Sequence, residues 1–304
     1  MNIRQDTNIA AELVLLAALA TLWGGSYTFI KLGVATIPPI TLIAARTAIA
    51  GLLLLGVMAA RGIRMPCDAA TWRRFAFQAV LNSVVPWTLI GWGERHVDAA
   101  LATILNSAGP IFTFLLTAVV TRHEATPPRK LFGVVAGMAG ILLIVGVDAF
   151  HDVGGGLLAE AAIVAATICY ACAAIFGRSF GRLDPMAPAA GSLLAGAAVL
   201  IPASLVVEQP WTLSPSLSSV LALLALSVFS TAAAFAIYFR LIQTLGSVGT
   251  TAQANLRVPI GVAISVAFLG ESLSRTAWVG LACVVLGVAA MTIPARRLAR
   301  IKPS

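Results

Sequence analysis

The chain has 304 residues, of which 59% are hydrophobic and 11% are charged. Soluble domains carry roughly 25% charged residues because their surface faces water, so this composition excludes an ordinary water-soluble domain. The net charge of +8 does not indicate nucleic-acid binding, since no basic patch with interleaved aromatics is present. In a membrane protein the same excess of Lys and Arg marks the cytoplasmic side.

Ten apolar stretches are long enough to cross a bilayer, which takes about 20 residues per helix. Helices satisfy their own backbone polar groups in lipid, so we predict an all-α membrane protein. No signal-peptide cleavage site precedes the first stretch, which is therefore expected to be retained. The predicted transmembrane helices, in chain order, are 12–30, 38–60, 75–93, 99–121, 131–149, 156–177, 186–207, 217–239, 248–269 and 276–294.

The distribution of basic residues predicts the orientation of these spans. With the N-terminus inside, the cytoplasmic segments hold 15 Lys and Arg residues and the outer segments hold 3, namely Lys31, Arg95 and Arg275. This asymmetry predicts that both termini are cytoplasmic. The two remaining basic residues, Arg46 and Arg257, lie inside predicted spans.

An internal repeat divides the predicted spans into two halves of five, residues 1–150 and 151–304. Because five is odd, the second half enters the membrane from the opposite side. Such inverted repeats are typical of secondary transporters, whose substrate site lies between the halves near the midplane. At an offset of 147 the matching pairs include Pro38/Pro185, Glu124/Glu271, Gly133/Gly280 and Gly140/Gly287, and at 149 they are Asn106/Asn255 and Pro110/Pro259.

Several short motifs occur in a fixed order along both halves. They are Trp23-Gly24-Gly25-Ser26 with Lys31 and Gly33, Pro38 with Arg46, the run 99–110 followed by Glu124 and Gly133, and then Thr231, Tyr238-Phe239, Gly246, Pro259, Gly270-Glu271 and Gly280. In these residues the chain resembles, over essentially its whole length, the EamA family of the drug/metabolite transporter superfamily.

The resemblance implies ten helices with cytoplasmic termini and export of small metabolites by alternating access. The YddG-type exporters of aromatic and other amino acids are a neighbouring group. The chain departs from the family pattern at Arg257, where a small or apolar residue is usual before the proline, and this weakens a direct transfer of substrate.

Two arginines at membrane depth are candidate functional residues, because a charge there is costly. Arg257 could hold a substrate carboxylate through its forked guanidinium. Alternatively, it pairs with carbonyls freed at Pro259. Arg46 matches a family-pattern position, and we interpret it as a packing or gating anchor.

Prolines within spans predict kinks, because each removes a backbone donor and clashes with the preceding turn. Pro86, Pro110 and Pro259 are in such positions. Asn106 and Asn255 each precede a proline by four residues. They could cap the freed backbone, which we favour, or face the substrate.

Aromatic and polar residues within the spans are candidates for a cavity lining. The alternative for each is packing in the core or against lipid. This candidate set, which suits an aromatic or amphipathic solute, comprises Trp23, Tyr27, Trp87, Tyr170 and Tyr238, together with Asn82 and Thr88 on the third span.

No Asp or Glu lies in the middle of a predicted span. Glu12 and Glu160 are about one turn inside, and all three histidines fall in loops. We therefore expect a simple buried-carboxylate proton relay to be absent, which leaves uniport, exchange or another coupling.

Other motifs indicate packing rather than chemistry. Cys169 and Cys172 share a helix face as small packing residues rather than a redox pair. Glycines on the fifth and tenth spans favour packing within one chain over dimerisation, consistent with a monomer. No Walker A motif, metal-ligand cluster or cofactor fingerprint occurs, so no cofactor or metal is expected.

The sequence thus predicts a secondary transporter that exports a small molecule, most simply an amino acid, across the inner membrane of a bacterium. The expected partners are this solute and the lipid bilayer, without nucleic acid. Three alternatives stay open: export of another solute or drug-like compound, a membrane-embedded enzyme acting on a lipid-linked substrate, and a channel. The enzyme would need clustered catalytic groups and the channel a ring of charges or a carbonyl filter.

Overall fold

A computed structural model describes residues 9–121, 128–151, 155–181 and 183–292, and every regular element in this part of the chain is helical. Short 3-10 turns at Arg178–Phe180 and Pro210–Thr212 lie between α-helices, and π-helical segments at Val80–Val84 and Val228–Ala233 separate others. The α-helices are α1 (Ile9–Gly24), α2 (Ser26–Val34), α3 (Pro39–Ala60), α4 (Ala69–Ala79), α5 (Val85–Gly93), α6 (Ala99–Asn106), α7 (Gly109–Thr121), α8 (Pro128–His151), α9 (Gly155–Gly177), α10 (Met186–Val207), α11 (Leu217–Ser227), α12 (Ala234–Leu269) and α13 (Arg275–Thr292).

Seven helical stretches of the described chain have the length and apolarity of membrane spans. They are Ile9–Val34, Pro39–Ala60, Ala69–Gly93, Ala99–Thr117, Gly156–Phe180, Met186–Val207 and Leu217–Leu241. Three shorter apolar helices are Leu131–Ile144, Leu256–Leu269 and Arg275–Ala290. The chain is therefore a multi-pass membrane protein, whereas the count of ten spans and the cytoplasmic termini stay predictions.

The long helix α12 folds back on itself. Tyr238 packs on Trp23, with ring centroids 5.4 Å apart. The Arg257 carbonyl lies 2.8 Å from the Cβ position of Gly24, the residue next to Trp23. In a straight helix Tyr238 and Arg257 would be about 28 Å apart, at 1.5 Å per residue. The chain therefore reverses direction between these two residues, which gives α12 two antiparallel arms.

Helices α3 and α10 occupy equivalent places in the two halves and run in opposite directions. The start of α3 lies beside the end of α10, where the hydroxyls of Thr41 and Ser204 are 2.7 Å apart. The opposite ends also meet, since an Arg61 guanidinium nitrogen lies 3.8 Å from the Met186 sulfur. This antiparallel arrangement is the one that an inverted repeat requires.

Glycines hold α8 and α13 in close backbone contact. A Cβ on Gly140 would lie 2.7 Å from the Gly280 carbonyl, and one on Gly287 would lie 2.6 Å from the Gly133 carbonyl. The sequence repeat aligns Gly133 with Gly280 and Gly140 with Gly287, so the aligned glycines contact each other crosswise. Crosswise contacts are the pattern that a two-fold axis produces. These glycines serve packing within one chain, because only small residues allow such an approach in lipid.

Two carboxylates fasten helix N-termini from distant parts of the chain. Glu208, just after α10, accepts hydrogen bonds from two amides in the first turn of α3, namely Ile40 at 3.0 Å and Thr41 at 2.6 Å. Glu271, just after α12, does the same at the start of α6, with Ala99 at 2.8 Å and Ala100 at 2.9 Å. A negative charge at a helix N-terminus satisfies otherwise unpaired amides and complements the helix dipole.

We expect the Gly140→Val variant to unfold at a lower temperature in detergent than the parent protein. The added side chain must push α8 and α13 apart, and overpacking of this kind costs about 1–3 kcal/mol. The matched control is Gly56→Ala on α3, where an added Cβ meets nothing within 4 Å. This control should be neutral or slightly stabilising, because Ala favours a helix over Gly by about 1 kcal/mol. Equal melting temperatures for the parent and Gly140→Val would contradict the close contact.

Candidate functional site

A cavity of about 730 Å³ lies between the two halves of the bundle. Volumes of roughly 300–1,000 Å³ are typical of small-molecule sites. Both halves supply polar and aromatic side chains to its wall, which include Trp23, Ser26, Tyr27, Arg46, Gln78, Asn82, Trp87, Asn106, Ser107, Tyr170, Arg178, Ser192, Ser230, Tyr238, Gln253 and Arg257.

The cavity is open at one end of the bundle and closed at the other. At the open end it is lined by the segment between α9 and α10, where Arg178, Gly181 and Pro185 are exposed. At the closed end it is lined by Ile30 and Ile90, both 2% exposed. In the predicted orientation the mouth faces the cytoplasm and the closed end faces outward.

A chain of hydrogen bonds crosses the middle of the cavity wall and joins the two halves. The Tyr27 hydroxyl donates to the Asn106 side-chain carbonyl at 2.8 Å. The Asn106 amide in turn donates to the Thr167 hydroxyl at 3.2 Å. Asn106 thus forms hydrogen bonds with two side chains. It does not cap the backbone freed before Pro110, although capping was the interpretation that its spacing favoured. It is 4% exposed, so it contributes to the wall mainly as a rigid support.

Arg46 is held in place by two neighbours. Its Nε donates to the Thr231 hydroxyl at 3.0 Å. Its guanidinium carbon lies 3.6 Å from the centre of the Trp87 ring, a cation–π arrangement. These contacts tie α3 to α5 and to the π-helical segment Val228–Ala233, so Arg46 has the surroundings of an anchor.

The prolines differ in their effects on the helices. Pro110 follows a break at Ser107–Ala108 that separates α6 from α7, and Pro86 follows the π-helical segment Val80–Val84. By contrast, α12 continues as a helix through Pro259. The break at Pro110 therefore has no matching helix break at Pro259. The two π-helical segments are the features that match between the halves, 148 residues apart at their first residues.

Four buried polar atoms in the cavity wall have no hydrogen-bond partner in the described structure. They are the Nε of Arg257, the hydroxyl of Ser230 and the side-chain carbonyl oxygens of Gln78 and Gln253. In the alternative role for Arg257, its guanidinium pairs with carbonyls freed at Pro259. The Nε of Arg257 makes no such hydrogen bond. Buried polar groups are nearly always paired, so these four atoms lack the partners that such groups normally have.

Aromatic rings form much of the remaining wall. Trp23 packs on Phe235 and Tyr238, with ring centroids 6.1 and 5.4 Å apart. Trp87 and Tyr170 also line the cavity, on other helices. The wall therefore combines flat apolar surfaces with a few polar groups.

Most of the residues singled out in the sequence converge on this cavity. Those that line it are Trp23, Tyr27, Arg46, Asn82, Trp87, Asn106, Pro110, Tyr170, Tyr238 and Arg257. Contrary to the prediction, Thr88 does not line the cavity. It follows Trp87 by one position, so its side chain is turned about 100° around the helix, away from the lining. The side chain of Asn255 lies outside the described residues, and so does Glu124.

Gln78, Gln253 and Ser230 belong to the wall but were missed by the sequence analysis. Gln253 carried a usable signal, since it precedes Arg257 by four residues and therefore shares its helix face. Gln78 carried the same signal, since it precedes Asn82 by four residues, whereas Ser230 carried none because tertiary packing alone brings it to the cavity. Glu12, by contrast, is away from the cavity and forms an ion pair with Arg240 at 3.1 Å.

Comparison with known proteins agrees with this architecture. The uncharacterized inner membrane transporter YedA of Escherichia coli K12 is 26% identical over 280 residues, which cover 91% of this chain and 89% of that protein. A probable terminal-alkyne amino-acid exporter of Streptantibioticus cattleyicolor is 24% identical over 279 residues, 91% of each chain. A solved structure described only as "Crystal structure of protein" has the same fold, with a TM-score of 0.67 at 19% identity over 95% of this chain and 99% of that one.

A family model, that of the EamA-like transporters, matches two consecutive segments of the chain, residues 10–146 and 157–293. These segments cover most of the sequence and contain all the helices that line the cavity. The chain belongs to the EamA-like transporter family.

Proposed function

We propose that the protein exports a small solute with a carboxylate group, an amino acid in the first instance, across the inner membrane of a bacterium. The family and the names of the relatives support a transporter rather than an enzyme. The observation that carries the choice of solute is the Arg257 side chain, whose Nε is buried in the cavity wall without a partner.

The charge of the cavity supports an anionic group on the solute. Three arginines line it, Arg46, Arg178 and Arg257, and no Asp or Glu occurs among its described lining residues. Electrostatic forces are stronger in such an apolar wall than in water. A carboxylate is therefore attracted to the cavity, and a purely cationic solute is repelled.

Arg257 is the arginine best suited to bind the carboxylate. Arg46 is already engaged with Thr231 and Trp87, and Arg178 is exposed at the mouth. A guanidinium can donate two parallel hydrogen bonds to a carboxylate, an arrangement that favours this group over other anions of different shape.

The unpaired acceptors fit the ammonium group of an amino acid. Gln253 lies one turn from Arg257 on the same face of α12, and its side-chain oxygen has no partner. Gln78 offers a second free oxygen in the same cavity. An ammonium group is a donor without acceptors, so amide oxygens can satisfy it without a carboxylate in the wall.

The aromatic part of the wall suits an apolar or aromatic side chain on the solute. Trp23, Tyr27, Trp87, Tyr170 and Tyr238 present ring surfaces to the cavity. Aromatic groups pack on each other in offset or edge-to-face arrangements, which add to the gain from burial. This supports the inclusion of aromatic amino acids among the solutes.

The open and closed ends fit one step of alternating access. With the mouth toward the cytoplasm, the solute enters between the halves and reaches Arg257. Export then requires the mouth to close and the opposite end to open. Inverted repeats allow this exchange by rocking one group of helices against the other.

The apolar part of the cavity wall would also suit a drug-like compound as the transported solute, provided that this compound is not cationic. A membrane-embedded enzyme finds less support, since the described residues contain no cluster of His, Cys, Asp and Glu that could hold a metal. A solute panel in a transport assay separates these alternatives.

We expect Arg257→Ala to lower efflux of amino acids from proteoliposomes by about 10- to 100-fold. Hydrogen bonds to charged groups contribute about 1.5–3 kcal/mol, and each 1.4 kcal/mol is a factor of ten. Amines and amides derived from the same amino acids lack the carboxylate, so their slower efflux should not fall further. Arg257→Lys should recover part of the rate, because it keeps the charge but not the fork.

The matched control is Arg275→Ala, which removes an exposed arginine at the start of α13 and should transport like the parent. Unchanged efflux of carboxylate solutes by Arg257→Ala would contradict its proposed role. If no amino acid moves in the parent protein, the choice of solute is wrong, whereas the carrier itself is not tested by that result.

Arg46→Ala should affect all solutes alike. Its loss leaves the Thr231 hydroxyl and the Trp87 ring without the partner that joins α3 to them. We expect a lower melting temperature in detergent and a uniform decrease in efflux across the panel. A decrease confined to carboxylate solutes would show instead that Arg46 binds the substrate.

A further inference from the structure

Glu94 is a buried carboxylate that the cavity does not use. It follows Gly93, the last residue of its span, and is one helical turn beyond Ile90 at the closed end of the cavity. Its side chain is 0% exposed, and neither carboxylate oxygen has a hydrogen-bond partner. A carboxylate without donors is costly when ionised away from water, so this position favours the neutral acid.

Charged neighbours reach Glu94 from several elements. Lys31 on α2 and Arg46 on α3 favour the ionised form, and Glu271, just after α12, opposes it. On α9, Glu160 follows Ala159, whose carbonyl lies 3.1 Å from the Cβ position of Gly93. On the segment of Glu94 itself, Arg95, His96 and Asp98 are exposed to solvent.

The Lys31 ammonium does not neutralise the Glu94 carboxylate. It donates instead to two backbone carbonyls, those of Glu94 and Val97, at 2.7 Å each. These bonds join the end of α2 to the segment after α5 and close this end of the cavity. The effect of burial outweighs the nearby positive charges, and it raises the pKa of the Glu94 carboxyl well above its usual range.

We propose that Glu94 is a proton-binding site that controls the closed end of the cavity. Its carboxyl is protonated while this end is closed and ionised when this end opens. The proposal rests on the alternating access described above. When α2 separates from the α5 end, water reaches both Lys31 and Glu94. The carboxyl then releases its proton to the outer solution, and closing takes one proton up again.

The sign of the pH dependence follows from this difference between the two states. The closed state has the raised pKa and the open state an ordinary one, about 4.3 for Glu in water. Protonation therefore favours the closed state most strongly at a pH below the ordinary pKa. This preference for the closed state decreases as the pH rises toward the raised pKa. Because one proton is exchanged, the ratio of open to closed protein increases up to about tenfold per pH unit within this window.

The test is the distance between two spin labels across the closed end, at Ala35→Cys after α2 and Arg95→Cys after α5, both exposed positions. The four native cysteines are replaced by alanine, and proteoliposomes are equilibrated at the same pH on both sides, from about 5 to 9. We expect the population with the longer distance to grow as the pH rises. In Glu94→Gln, which imitates the neutral acid, the shorter distance should persist at every pH.

Two further variants make the result specific to Glu94. Glu94→Met has a similar volume without a titrating group and should also be insensitive to pH, even if Glu94→Gln folds poorly. Asp98→Asn removes an exposed carboxylate of the same segment whose side chain caps no helix amide, and should keep the pH response. A parent protein without a pH response, or a response that survives in both Glu94 variants, would overturn the proposal.

The outcome is separable from the choice of solute. The distances require no transported molecule, and Arg257→Ala should keep their pH dependence because Arg257 lies inside the cavity rather than at its closed end. Amino acid efflux without a pH response would therefore refute the Glu94 site alone. A pH response that Glu94→Gln abolishes, in a protein that moves no amino acid, would refute the choice of solute alone.

Discussion

Charged side chains are matched to helix termini at the closed end of the cavity, and these contacts join the elements that close it. Lys31 donates to carbonyls at and beyond the end of α5, whereas Glu208 and Glu271 accept from amides at the starts of α3 and α6. Each charge thus has the sign that complements the helix dipole beside it. Contacts of this kind break and reform without repacking a hydrophobic core, which suits the opening of this end that the proposed alternating access requires.

The scaffold around the cavity is held by different means. The equivalent pairs α3–α10 and α8–α13 pack antiparallel, and in the α8–α13 pair glycines bring the backbones together crosswise. Between these pairs, the π-helical segments Val80–Val84 and Val228–Ala233 and the break at Ser107 interrupt the central helices. All three irregularities contribute residues to the cavity wall, namely Asn82, Ser107 and Ser230. Irregular backbone at membrane depth is tolerated where it lines a cavity, because water or a solute can satisfy its polar groups.

The candidate site could be predicted from the sequence to the extent that its residues are unusual in a membrane span. Arg257 and Arg46 were recognisable because a charge in lipid is rare. Their roles could not be recognised from the sequence. Only the contacts with Thr231 and Trp87 distinguish Arg46, as an anchor, from Arg257. Glu94 was overlooked for a related reason. It follows a predicted span and has the sequence context of a loop residue, but tertiary packing covers it completely.

The sequence by itself determined the membrane class, the helical content and the repeat, because these follow from apolar runs and from residues that recur at a fixed offset. It also indicated which side chains are too polar for lipid. Only the tertiary structure decided which of these meet in one cavity, which end of that cavity is closed, and which polar atoms have no partner. Helix rotation and the reversal within α12 set these features, and they depend on packing between residues far apart in the chain, which no local pattern encodes.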